Sequence, residues 1–253
     1  MKKLIIYFIA IVFLFSACDP IEKRDEMGAK ISPENINATV ESVTPGSNTL
    51  IVSNTTKGLS GTWFYPGGYS LNQYDTVKVP YGGDVTVTFS ATTAGGIVDK
   101  NITVKVTDLE YVPGYFELTD NGAPKTWVYD EDNEDGYIYE TADYDWEEIW
   151  GNPYEDENSP DFGAKMKFDL DGGFNYVLIE EDGTETKGSF ALNMNKMTLQ
   201  IIDSHIPDFD ENIGEDIAST GLYEVKILED DKLLMWQVGD GDGWAWVFKP
   251  ESK

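Results

Sequence analysis

From Ala38 to Glu110 the apolar residues fall on alternate positions: Val77 and Val79, then Val85, Val87, Phe89 and Ala91, then Ile102, Val104 and Val106. A period of two turns one face of each segment toward a core, which predicts strands rather than helices. Pro45-Gly46, Pro66-Gly67-Gly68, Gly82-Gly83 and Gly95-Gly96 separate the runs. Short strands punctuated this often predict a β-sandwich over residues 38–112. Pro113-Gly114 closes that unit, and Asp120-Asn121-Gly122 opens a second all-β run over 120–253. Its predicted strands are 126–129, 165–170, 174–179, 187–192, 196–202, 222–228, 232–238 and 244–248. Strict alternation marks several of them, as in Met166/Phe168/Leu170, Phe174/Tyr176/Leu178 and Trp244/Trp246/Phe248. Eight strands joined mainly by tight turns such as Asp171-Gly172-Gly173 predict an antiparallel meander, either a closed barrel or a two-sheet sandwich. The fold class is all-β.

Upstream, Asp19 to Asn37 is polar, holds Pro20 and Pro33 and has no apolar period, so residues 18–37 are expected to form a flexible tether. Residues 1–17 follow secretory logic. Lys2 and Lys3 precede an apolar run from Leu4 to Phe15 that is too short to span a bilayer. The run ends in Phe15-Ser16-Ala17-Cys18, which resembles a bacterial lipobox. That resemblance implies cleavage before Cys18, its lipidation, and an outer-membrane, cell-surface location. Cys18 is the only cysteine, so the folded units are expected to be free of disulfides and held by their cores.

Charge narrows the partners. The net charge is -28, and losing Lys2 and Lys3 with the leader makes it more negative still. Phosphate recognition needs clustered Lys or Arg, so nucleic acid is excluded and membrane attachment is left to acyl chains. Of the 46 acidic residues, 34 lie at or beyond Asp120, which sets the second unit apart from the first.

Gly61-Thr62-Trp63 with Gly67-Gly68, Gly83-Asp84-Val85-Thr86-Val87, and Ile102-Thr103-Val104-Lys105-Val106 resemble the PKD family of immunoglobulin-like sandwiches. Trp63 is then a core residue. The second unit is similar to the lipocalin-like domains of Bacteroidota lipoproteins. The matching residues are Lys125-Thr126-Trp127, Met166-Lys167-Phe168-Asp169-Leu170-Asp171-Gly172, Gly188-Ser189-Phe190 and the aromatic strand ending at Phe248-Lys249. Together the two resemblances imply an accessory lipoprotein of a polysaccharide-utilisation system, working beside an outer-membrane uptake complex.

Two insertions break the meander, 130–162 and 203–220, and long loops in a compact domain commonly carry function. The first interleaves Tyr137, Tyr139, Tyr144, Trp146, Trp150 and Tyr154 with acids including Asp143, Asp145, Glu147 and Glu148. Flat rings meet the C–H faces of sugars and carboxylates accept from their hydroxyls, so Trp146, Trp150, Tyr154, Tyr144 and Glu148 are the candidate glycan contacts. The alternative is that these rings plug the barrel or cover a sheet edge. Asp130 to Gly136 has the alternating oxygens of a calcium loop, with Glu131, Asn133 and Asp135 as ligands, but position twelve is Ala142 rather than a bidentate acid. A structural calcium ion is the one cofactor expectation. A carrier reading places an apolar ligand inside the barrel, lined by Met166, Phe168, Tyr176, Trp236 and Trp246. A scaffold role in the uptake complex is a third reading. Catalysis finds no support, because His205 is the sole histidine and no phosphate, dinucleotide or zinc motif occurs.

Overall fold

The computed structural model describes residues 28–29, 31–154, 163–207, 221–238 and 242–252. The chain is all-β among these residues, apart from a 3-10 turn at Pro33–Asn35 and a single-turn helix α1, Tyr115–Leu118. Cys18 lies outside the described residues.

Seven strands precede the helix: β1 (Ala38–Ser42), β2 (Thr49–Asn54), β3 (Gly61–Tyr65), β4 (Gly68–Ser70), β5 (Tyr74–Lys78), β6 (Gly83–Thr93) and β7 (Gly96–Val106). They form a three-stranded antiparallel sheet, β1-β2-β5, and a four-stranded one, β4-β3-β6-β7. The predicted alternation is realised in β6, where Val85, Val87, Phe89 and Ala91 are buried. Both sheets contribute to one core, in which Trp63 is fully buried with its ring 4.8 Å from that of Phe89. Packing starts earlier than the expected tether end. Ile36 continues the Ala38/Val40 alternation into the core, and Lys100 donates to its carbonyl at 2.5 Å. The segment expected to be structureless to residue 37 is therefore ordered over its last residues.

The second unit holds β8 (Lys125–Tyr129), β9 (Ile138–Ala142), β10 (Ile149–Tyr154), β11 (Lys165–Asp169), β12 (Asn175–Ile179), β13 (Glu185–Asn193), β14 (Thr198–Ile202), β15 (Leu222–Leu228), β16 (Leu233–Val238) and β17 (Asp242–Pro250). Sheet order runs β8-β11-β12-β13-β14-β15-β16-β17, and β17 pairs back onto β8. The choice between barrel and sandwich is thus settled as a closed, eight-stranded antiparallel barrel. These eight strands fall where the alternation placed them. β9 and β10 were read as part of an inserted loop; instead β9 pairs with the first half of β17, from Asp242 to Trp246, while β8 takes the second half.

Eight strands enclose a space just wide enough for side chains. It is filled: Trp127, Met166, Phe168, Tyr176, Leu178, Leu199, Tyr223, Leu233, Met235 and Phe248 are all essentially inaccessible and form one cluster. The segment after β14 closes over this cluster. Ile206 is buried in it, Tyr176 donates to the His205 carbonyl at 2.6 Å, and Tyr129 donates to the Pro207 carbonyl at 2.7 Å. His205 itself is exposed, its Nδ1 2.7 Å from the Ile206 carbonyl, so it is a loop histidine. Trp236 does not line the interior. It lies on the outer face with Tyr139, Leu234, Ala245 and Val247, because it neighbours Ala245 in register while Met235 and Trp246 take the inward positions.

The linker is an element of the packing rather than a spacer. Tyr115, Phe116 and Leu118 of α1 are buried in the barrel cluster, and Trp127 Nε1 donates to the Leu118 carbonyl at 2.8 Å. Tyr81 and Leu109 pack against both cores.

Candidate functional site

The insertion at 130–162 builds a hairpin, β9–β10, with residues 143–148 at its tip. Asp145 Oδ1 accepts from the Glu147 amide at 3.0 Å, the Asp145 carbonyl accepts from the Glu148 amide, and Ala142 N donates to the Glu148 carbonyl at 2.9 Å. These local bonds satisfy the tip without further sheet.

Ile149 pairs with Thr141 and Gly151 with Glu140, so Trp150 is an extra residue with no partner across the hairpin. Such a bulge re-aims the side chain it carries. Trp150 is half exposed and Tyr144 is 73% exposed. Both hydrogen-bond to one carboxylate: Tyr144 Oη donates to Glu148 Oε2 at 2.8 Å and Trp150 Nε1 donates to Oε1 at 3.3 Å. The bond to Glu148 also raises the Tyr144 pKa, the first of its causes, so the phenol stays a neutral donor. The arrangement is two outward rings held relative to one another by a shared acid.

Of the other rings in the insertion, Tyr137 and Tyr139 are buried. Trp146 is partly buried against the outer cluster and pins the hairpin tip to the barrel wall. Tyr154 ends β10 opposite Ile138, and its side chain lies outside the described residues. Within the segment expected to contact glycan, the bulge and the Glu148 bonds set Tyr144 and Trp150 apart as exposed rings sharing one carboxylate.

Beneath the hairpin, Trp236 Nε1 donates to Thr141 Oγ1 at 2.8 Å in a buried bond that crosses β17. Gly243 makes it possible. A Cβ there would collide with Thr141 Oγ1 and sit 2.7 Å from both Trp236 Nε1 and the Ala142 carbonyl.

The acidic turn ahead of β9 is organised by lysine. Lys249 Nζ lies 2.7 Å from Asp132, 3.4 Å from Asp130 and 3.9 Å from Glu131. Asn133 Nδ2 donates to the Gly136 carbonyl at 2.7 Å, and its Oδ1 accepts from Lys232 at 3.0 Å. Asp135 acts on Tyr139, whose pKa burial pushes up to about 12 with a smaller push from that carboxylate. Among the described residues no group of three acidic, histidine or cysteine side chains converges as a metal site would require. Lys249 beside Asp130, Glu131 and Asp132, and Lys232 on Asn133, supply positive charge at the turn where Glu131, Asn133 and Asp135 were the expected calcium ligands.

No protein-family model matches the chain, and no curated protein is significantly similar to it.

Proposed function

We propose that the chain is a non-catalytic, lipid-anchored surface protein that binds glycan at the β9–β10 hairpin and serves a polysaccharide-uptake system. The observation that carries this reading is the pair of exposed rings, Tyr144 and Trp150, tied to Glu148. Tyr144 and Trp150 keep apolar ring area in water beside one carboxylate, which suits stacking against the C–H face of a sugar. Rings already held by hydrogen bonds lose little rotamer freedom when a sugar stacks on them, which favours binding. Glu148 retains lone pairs for sugar hydroxyls beside the rings. Glycoside hydrolysis would need a carboxylic acid held protonated in an apolar site. Among the described residues, the acids with a shifted pKa, Asp75, Glu110 and Asp182, are all lowered.

The two N-terminal sheets, read as a PKD-like immunoglobulin sandwich, act as the spacer between a lipidated Cys18 and the barrel. The barrel, read as lipocalin-like, is the scaffold for the hairpin; its packed interior disfavours an apolar cargo. A membrane role rests on the lipobox resemblance, and among the described residues no helix is long and apolar enough to cross a bilayer. Labelling with radioactive palmitate in a bacterial host tests the anchor: Cys18→Ser should abolish incorporation, and undiminished labelling would refute it.

Affinity electrophoresis through gels cast with neutral soluble polysaccharides tests the site. At least one polysaccharide should retard the parent chain, and Trp150→Ala and Tyr144→Ala should each weaken that retardation. The reading fails if no polysaccharide retards the parent or if both variants migrate as it does.

A further inference from the structure

A cleft of about 650 Å³ lies where the two units meet. One wall is the β3–β4 turn, with Tyr65, Gly67, Gly68 and Tyr69, and the other is the β13–β14 turn, with Asn193, Met194 and Asn195. Tyr115, Phe174 and Leu192 form its floor. The floor is rigid: Tyr115 stacks on Phe174 with ring centres 5.4 Å apart, and its hydroxyl donates to the Leu192 carbonyl at 2.9 Å. The volume falls within the range of small-molecule sites.

Its chemistry departs from that of the surrounding surface. Among the described residues, none of the eleven that line it is charged, although a quarter of the chain is and the net charge is -28. The cavity at Thr119, Asn121 and Lys125, by contrast, also holds Asp120, Asp230 and Glu251. What the cleft offers instead is rings and amides. Tyr65 is partly buried, and its hydroxyl lies 3.4 Å from the Tyr69 carbonyl. Asn193 Oδ1 is used inside its turn, accepting from the Asn195 and Lys196 amides at 3.1 Å each. Its NH2 group and the exposed Asn195 carboxamide remain as neutral donors and acceptors.

We propose that this interdomain cleft is a second binding site, specific for a neutral oligosaccharide. A charged ligand would gain no ion pair there and would lose hydration on entry, whereas a neutral sugar ring matches both surfaces. Its apolar face lies on Tyr65 and its hydroxyls meet Asn193 and Asn195. Because the walls come from separate units, a bound chain bridges them. The proposal shares with the hairpin reading only the class of ligand, and either can fail without the other.

The test is isothermal titration calorimetry of the full chain with maltohexaose, cellohexaose, xylohexaose and mannohexaose, and with tetragalacturonate as the charged control. Hydrogen exchange is followed in the segments 65–69 and 191–196. At least one neutral hexasaccharide should bind, protect both segments and keep doing so in Trp150→Ala, while tetragalacturonate should not. Tyr65→Ala and Asn195→Ala should each weaken that binding by about tenfold, or about 1.4 kcal/mol. The proposal is overturned if no neutral hexasaccharide protects the two segments. It is equally overturned if Tyr65→Ala binds like the parent, if tetragalacturonate binds as tightly, or if Trp150→Ala removes all protection. Loss of binding in Trp150→Ala with no protection of the cleft in the parent would leave the hairpin reading standing alone.

Discussion

Replacing Gly243 by alanine separates two opposed physical effects. Glycine in a strand interior is unfavourable by roughly 0.5–1 kcal/mol relative to alanine, so on backbone entropy alone Gly243→Ala should stabilise the protein. The structure reverses the sign. The new methyl would collide with Thr141 Oγ1 and lie 2.7 Å from the Ala142 carbonyl and from Trp236 Nε1. Overpacking a well-filled site costs about 1–3 kcal/mol. Displacing the buried Trp236–Thr141 hydrogen bond adds about 1 kcal/mol. Against the entropic gain, a net destabilisation of roughly 1–3 kcal/mol follows. Urea unfolding followed by tryptophan fluorescence reads it as a lowered midpoint with an unchanged slope. The strain falls on the β9–β17 pairing, whereas the ring closure through β8 lies further along β17. Thr141→Ala introduced into Gly243→Ala should therefore cost less than in the parent, because it removes one colliding atom. A midpoint equal to or above the parent's would refute the close-approach argument.

Two further outcomes follow from the packing. Burial pushes Tyr115 and Tyr139 up to about 12 and also raises Tyr176 well above the usual phenol range. A raised folded pKa means stability that is complete below pH 10 and is lost as the pH climbs from there toward 12, since the unfolded chain ionises first. Phenolate absorbance with parallel circular dichroism should show these groups titrating only as structure is lost; ionisation of all 14 tyrosines near 10 in a folded protein would contradict this. At the acidic turn, Lys249 supplies the positive charge, so a chelator should leave the melting temperature unchanged. Lys249→Met should cost at most about 1 kcal/mol, as expected for a largely solvated ion-pair cluster. A fall in melting temperature on chelation would instead favour the calcium expectation.

Period-two alternation made the all-β class and the eight barrel strands legible, because inward positions such as Met166, Phe168 and Leu170 must be apolar wherever one face of a strand is buried. The same local signal reached the hairpin segment through its density of rings. It could not sort those rings. Tyr139 and Trp236 are buried on the outer face, Tyr137 and Trp246 inside, and Tyr144 and Trp150 in the open, although all are aromatic residues among polar neighbours. What decides between them is register: the pairing of β9 with β17, the unpaired bulge at Trp150 and the approach that Gly243 permits. Closure of the sheet through β8 and β17 likewise joins residues more than a hundred positions apart. The uncharged cleft between the units depends on it still more, for its two walls come from turns at 65–69 and 193–195 that no local pattern relates. Alternation is a property of neighbours along the chain and survives in the sequence, whereas register, closure and juxtaposition are properties of distant pairs and exist only once the chain has folded.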